Sequence, residues 1–445
     1  VVDVIMGAVA PSPVRSHAAP APEGLELPSA NVLPPTPPRL SERPAEVRGF
    51  LLGLCGVLAV AAPLCLFFGE RGFAPVVGVA GLLCIPWARP TREDRRGVLV
   101  LAALALWAAI SVAWSPAPNL HLPHSFKALS RFTVLHLAMQ LVFCTAFVTA
   151  LRRLDGADAR KALGWISIGF LIVPPLLIEE GLTGAKLFQA LPALIGQPVR
   201  DQWLPADLAQ GGYVAAVMTW PLGVALWRRG LWPLALALAA SPPLTLAVLR
   251  GGAPTMALLA SLPVFLVALW GGRRAVRLLG AATAACMLAA PLVMLAAERA
   301  DVYGRFKGVL WPSWADRLHI WGFVAEQWAR TPLRGAGLDA SRTYPDVVPL
   351  HPHNGTLQLW FELGLPGAVL GALFWLWLWR RIGDCAARNR LHGAAAAATA
   401  AVYLVISSVS YGLWQEWWLC VGAFALVLCI LLGKTLPTAT PRPAP

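Results

Sequence analysis

About twelve times between residues 49 and 433 the chain returns to an apolar run long enough to cross a bilayer as a helix, a length of roughly 17 to 25 residues. The runs lie near 49–68, 72–88, 97–114, 131–151, 162–182, 206–227, 231–249, 255–271, 278–297, 355–379, 394–413 and 416–433. Hydrocarbon offers no partner to a backbone N–H or C=O, so each run must bond to itself, and a helix does this within one segment. The expected fold is therefore all-α, a polytopic membrane protein with about twelve transmembrane helices. With 57% hydrophobic and 13% charged residues and a mean hydropathy of +0.62, an ordinary soluble domain is excluded.

The net charge of +13 would suit a nucleic-acid partner if it formed a patch, but the basic residues sit in short gaps between spans. Arg89, Arg92, Arg95 and Arg96 share one gap, and Arg152, Arg153, Arg160 and Lys161 the next but one. Arg228 and Arg229, then Arg273, Arg274 and Arg277, then Arg380, Arg381, Arg388 and Arg390 continue the alternation. Cytoplasmic loops carry the excess of Lys and Arg, so the charge reports topology, with both termini cytoplasmic and no nucleic acid bound. The expected order is a disordered cytoplasmic tail over 1–47 and spans one to nine over 48–297. A structured periplasmic loop with an amphipathic helix follows over 298–354, then the last three spans over 355–433 and a cytoplasmic tail over 434–445. None of the eight cysteines falls in 298–354, so neither a disulfide framework nor a thiolate metal site is expected.

Polar groups cluster where that loop meets the next span, at His351-Pro352-His353-Asn354. Asn354, Gln358 and Glu362 follow at intervals of four and share one face of the opening turns, where a carboxylate at mid-span costs at least about 2.5 kcal/mol. Something polar should face them. Asn354 is a preferred N-cap, and the positive end of the helix beside His353 should keep that imidazole neutral and able to take a proton. Within 314–330, Trp314, Leu318, Trp321, Ala325 and Trp328 recur at helical steps, and Arg317 projects between Trp321 and Val324. It is either a guanidinium stacked on Trp321 and snorkelling to water or an anion-binding arginine. Arg250, in Leu249-Arg250-Gly251-Gly252, is a second candidate, because a tight turn before a helix start pairs a guanidinium with free N–H groups. His136 and Gln140 share a face of the fourth span and suit an interhelical hydrogen bond, whereas His121 and His124 alone are a weak metal signal.

His353-Asn354, nine residues and then Gly364-x-x-Gly367, set within His-Pro-His-Asn-x-x-Leu-Gln-x-Trp-x-Glu-Leu-Gly, resembles the signature of the bacterial O-antigen ligase and O-antigen polymerase superfamily. Arg317-x-x-x-Trp321 and Pro332-Leu333-Arg334-Gly335-Ala336-Gly337 resemble that family's outer-loop elements, and the likeness is best from about 245 to 380. One departure is Leu249 before Arg250, where family members often carry Ser. The resemblance implies a glycosyltransferase of the bacterial inner membrane with a periplasmic site, whose donor is a glycan on undecaprenyl pyrophosphate. A ligase passes the glycan to a sugar hydroxyl of lipid A core, and a polymerase passes it to another lipid-linked repeat. Both invert the anomeric centre without a nucleotide sugar, cofactor or metal. On that reading His353 is the base and Arg250 and Arg317 clamp the pyrophosphate, while His351, Asn354, Glu362 and Arg334 orient the ring or the sugar. From another class, a secondary transporter for an anionic solute would place its charged groups near the bilayer midplane on broken helices.

Overall fold

The computed structural model describes residues 45–65, 72–117, 132–194, 204–249 and 251–437, and every long apolar run within them is helical. Among these residues nine helices are long and apolar enough to cross a membrane. One of them, Ala253–Arg299, has 47 residues and contains two of the expected spans, divided at Gly272 (φ 58°, ψ −143°). The shorter apolar helix Phe73–Trp87 and the 24-residue helix Leu204–Trp227 account for the others. The protein is thus an all-α polytopic membrane protein. Arg250, His121 and His124 lie outside the described residues, as do 1–44 and 438–445 of the two expected tails.

Ala253–Arg299 and Gly355–Arg388 pack against each other more extensively than any other pair, with Arg390–Val409 against both. Lipid gives helices no hydrophobic reason to associate, so close approach and interhelical hydrogen bonds must hold them. Residues 393 to 401, one glycine, seven alanines and one threonine, are all buried and let the backbones close up. Indole N–H groups add the bonds: Trp220 donates to Ser261 Oγ, Trp360 to the Met287 carbonyl and Trp418 to Ser407 Oγ, each at 2.8 Å. His136 Nδ1 meets Glu416 at 2.6 Å, and Gln140 Oε1 accepts from Cys420 Sγ, so this polar pair joins two helices.

The bundle has two chemically distinct ends. At one, Arg273 bonds Asp384 (2.9 Å), Arg381 pairs with Glu93, Arg152 with Asp94, and Arg153 and Arg390 donate to the carbonyls of Trp87 and Trp270. Basic residues far apart in sequence therefore meet at the arginine end. The opposite end holds residues 332–354 and the short connection 410–415, which is where the polar cluster lies.

What aims that cluster is a corner in Gly355–Arg388. The apolar run predicts one continuous helix over 355–379, but the chain turns sharply at Gly364 (φ 61°, ψ −156°). A Cβ on Gly371 would lie 2.6 Å from Leu359 Cδ1, and one on Gly367 3.3 Å from the Leu359 carbonyl oxygen. In a straight helix, rising 1.5 Å per residue, those partners would be roughly 18 and 12 Å apart along the axis. The first nine residues therefore fold back against the rest, so the polar stripe rides on a short arm. Pro366, which lacks an N–H, and the left-handed φ at Gly364 mark the break.

Four backbone groups at the corner are recaptured by other segments. Ala336 and Gly337 N–H donate to the carbonyls of Phe361 and Glu362 (2.8 Å each), Trp107 Nε1 to that of Leu363 (2.8 Å), and Leu365 N–H to that of Pro332 (3.0 Å). Pro332–Gly337 and Gly364-x-x-Gly367, separate on the sequence, are the two faces of one backbone-to-backbone contact. A Cβ on Gly335 would fall 2.4 Å from the Glu362 carbonyl oxygen, and one on Gly364 2.5 Å from the Gly335 nitrogen. Gly364→Ala is expected to destabilise the protein by about 2 kcal/mol or more, from left-handed strain plus the clash. Gly53→Ala, whose Cβ meets nothing within 4 Å, should be neutral or slightly stabilising. Thermal unfolding of both variants in detergent measures the contrast, and equal melting temperatures would dismiss the corner as a constraint.

Candidate functional site

Asn354 caps the short arm, its Oδ1 accepting from Thr356 N–H (3.1 Å) and Leu357 N–H (3.0 Å). The two stripe residues beyond it are met by polar partners. Gln358 Oε1 accepts from Leu413 N–H (2.8 Å), and its amide donates to Glu362 (3.1 Å). Glu362, wholly buried, also accepts from Asp339 N–H (2.9 Å), Ser341 Oγ (2.6 Å) and Trp414 Nε1 (2.6 Å). Four donors saturate one carboxylate, tying the arm to the 339–341 turn and to the 413–414 connection. Glu362 is therefore a buried brace.

The two imidazoles stand beside the cap with ring centres 4.3 Å apart, and they have opposite tautomers. His353 Nδ1 is 2.7 Å from the Ser410 carbonyl, which can only accept, so Nδ1 carries the proton and Nε2 keeps a lone pair. His351 Nδ1 accepts from His353 N–H (3.1 Å), so in neutral His351 the proton is on Nε2. His353 is thus arranged as a proton acceptor and His351 as a donor. His353 also holds a left-handed backbone (φ 53°), a conformation costing a non-glycine residue about 1 to 2 kcal/mol. Burial lowers the pKa of His353, opposed by the Ser410 bond and aided by the charge of Arg317. The larger cause of its neutrality is burial, beyond the helix-terminus effect expected from sequence. For His351, burial first and then His353, Arg342 and Arg317 carry the pKa from 6.5 to about 3.

Arg317 comes from the amphipathic helix Pro312–Arg330, whose buried arc is Ala315, Ile320, Gly322, Val324, Ala325 and Gln327. The tryptophans of the expected stripe, Trp314, Trp321 and Trp328, are half-buried. Trp321 donates to the Pro352 carbonyl (3.0 Å), fastening this helix to the histidine loop. The guanidinium lies over Trp314 (5.4 Å to the ring centre), where stacking on Trp321 was one expectation. It donates from one Nη to the Ser313 carbonyl (2.7 Å), while its buried Nε has no hydrogen-bond partner among the described residues. Burial pulls its pKa below the ordinary guanidinium value, and Tyr213, Asp316 and Tyr411 oppose that. The Tyr213 and Tyr411 rings meet at 4.9 Å. A desolvated cation with an unspent donor beside a neutral imidazole is a setting that favours an anion.

The structure therefore brings His351, His353, Asn354 and Arg317 together and places Glu362 behind them as support. Arg334 is not brought in: it is exposed, with its guanidinium 6.0 Å from the Trp114 ring centre. It belongs to the turn that holds the corner, and the second charge felt by His351 is that of Arg342. Sequence reasoning missed Tyr213, Ser410, Tyr411 and Trp414. The only trace of the last three is Ser-Tyr-Gly-Leu-Trp-Gln, a polar and aromatic connection between two spans. Among the described residues no three His, Cys, Asp or Glu side chains gather into a metal-binding set.

The fold and this polar centre define a multi-pass membrane protein with a neutral imidazole and a buried guanidinium at one end of its bundle. Residues 234–372 match the family model described as O-antigen ligase, which supports the O-antigen ligase superfamily for this segment. Proteins of Rickettsia conorii, Rickettsia felis and Rickettsia bellii named as candidate polysaccharide ligases are 34%, 36% and 37% identical over 137, 138 and 139 residues. The similarity covers 28% of this chain and about a third (33%) of each relative. Tyr213, Ser410, Tyr411 and Trp414 all lie outside the matched segment.

Because both imidazoles are neutral when folded, the unfolded chain binds more protons below about pH 6.5. Their contribution to stability is full above that pH and is lost as pH falls toward the lowered folded values. Between pH 7 and pH 5 the wild type should lose about 2 kcal/mol that a His351→Gln variant does not lose. Denaturation midpoints measured across that range give the difference, and parallel pH profiles would refute a buried, neutral His351.

Proposed function

We propose that this protein is an O-antigen ligase of the bacterial inner membrane, transferring a glycan from undecaprenyl pyrophosphate to a sugar hydroxyl of lipid A core at a periplasmic site. The observation that carries the reading is His353, its Nδ1 committed to Ser410 and its Nε2 left as a base beside Arg317. The acceptor hydroxyl attacks the anomeric carbon from the face opposite the pyrophosphate, and its proton passes to His353 Nε2. The new glycosidic bond forms as the bond to the pyrophosphate oxygen breaks, inverting the centre and releasing undecaprenyl pyrophosphate. Negative charge grows on that leaving group, and in this reading Arg317 neutralises it, supported by an Nε without a hydrogen-bond partner among the described residues. Arg250 is assigned to the same leaving group from the sequence resemblance, and His351 Nε2–H to a sugar or phosphate oxygen. No step calls on a metal ion.

The ligase assignment is favoured over a polymerase by the matched family description and by the relatives' printed names. An anion transporter is disfavoured because the charged side chains of the described residues gather at the two ends of the bundle. The deciding assay is transfer in vitro, by the full chain, from an undecaprenyl-pyrophosphate glycan to lipid A core with EDTA present. His353→Ala should lower the rate by about 10² to 10⁴ in a protein that still folds. Arg317→Lys should lower it less than Arg317→Ala, since lysine offers a point charge without the planar fork. Normal transfer by His353→Ala removes the base assignment, and loss of transfer on adding EDTA removes the metal-independent mechanism. In cells, deletion leaving full-length chains on the carrier supports the ligase, whereas single repeats would make it a polymerase.

A further inference from the structure

The arginine end holds a cavity of about 320 Å³ between the break at Gly272 and the junction of Gly355–Arg388 with Arg390–Val409. Its wall carries Arg273, Arg274, Arg388 and Arg390, together with Asn389 and no acidic residue. Two of these arginines are already engaged, Arg273 with Asp384 (2.9 Å) and Arg390 with the Trp270 carbonyl (2.8 Å). Arg390 lies against the break, its Nε 3.8 Å from where a Cβ on Gly272 would be. Arg274 and Arg388 are exposed, and among the described residues neither has a hydrogen-bond or ion-pair partner. Like charges brought to one cleft repel, so an arrangement that positions four with one carboxylate at its edge is completed by an anion.

The setting says which anion. Trp270, whose carbonyl anchors Arg390, is 69% exposed, and Leu266 (40%) and Leu278 (71%) lie uncovered on the two arms that meet at Gly272. In a bilayer those apolar side chains face acyl chains, and an exposed tryptophan beside charged residues marks the headgroup level. Basic pockets between transmembrane helices at that level take lipid phosphate groups. We propose that this cleft binds the phosphate headgroup of an anionic phospholipid, whose acyl chains lie along the apolar surface beside Trp270. The site is at the opposite end of the bundle from His353 and is independent of the transfer reaction.

The test uses the full chain reconstituted in bilayers of phosphatidylglycerol and phosphatidylcholine, extracted in mild detergent, with retained lipids counted by native mass spectrometry. The wild type should retain phosphatidylglycerol preferentially, and an Arg274→Gln/Arg388→Gln double variant should retain it roughly tenfold less well. Both side chains are exposed, so an unchanged melting temperature should accompany that loss. An Arg95→Gln/Arg96→Gln variant, which removes the same charge from the same end but outside the cleft, should retain lipid normally. The proposal fails if the wild type shows no preference for phosphatidylglycerol, if the cleft variant keeps it, or if the control loses it equally. Displacement of the lipid by inorganic phosphate as readily as by phosphatidylglycerol would likewise overturn it, in favour of a free-phosphate site.

Discussion

Everything at the polar end depends on a backbone contact without side chains. Gly364 and Gly335 meet where a methyl group on either would collide, and the peptide groups freed by the corner are bonded by the 332–337 turn and by Trp107. An unpaired amide in an apolar interior costs several kcal/mol, so a helix can break there only if another segment supplies the missing partners. The 332–337 turn is that segment. The corner folds a short arm back on its own helix, and the arm's N-cap delivers His353 to Ser410.

With the arm in place, Glu362 converts position into rigidity. Its four accepted hydrogen bonds come from the arm itself, the 339–341 turn and Trp414, so three segments move as one body. The histidine loop is fixed from both sides, by Trp321 at Pro352 and by Ser410 at His353. A base whose lone pair must face an incoming hydroxyl gains from this, because the tautomer and the ring plane are set before any substrate arrives. Arg317 contributes the complementary feature, a positive charge half withdrawn from water and with one donor unspent.

The superfamily segment, residues 234–372, supplies the histidines, the arginine, the corner and the brace, yet it does not complete the centre. Ser410, Tyr411 and Trp414 come from the connection between the last two spans, Tyr213 from Leu204–Trp227, and Trp107 from Arg92–Ser111. Recognition of the segment and completion of the site thus rest on different parts of the chain. At the far end, the arginines that signal topology in the sequence meet carboxylates and helix-end carbonyls from other helices.

From the amino acids alone, the helical class, the approximate number of spans, the cap at Asn354, the amphipathic helix carrying Arg317 and the place of the histidine pair beside that cap were all legible. Each is a local property, set by hydropathy over one span, by the chemistry of a cap or by side-chain periodicity over a few turns. The fold-back at Gly364 was not legible, because an apolar run reads the same whether it is straight or doubled over, and only the distant turn that satisfies its carbonyls decides. The role of Glu362, the exclusion of Arg334 and the opposite tautomers of His351 and His353 were equally hidden. Apart from the His351 tautomer, set by the neighbouring His353 N–H, they are decided by groups more than 20 residues away, at Asp339, Trp114, Ser410 and Trp414, and hydropathy carries no record of which distant groups a fold will bring together.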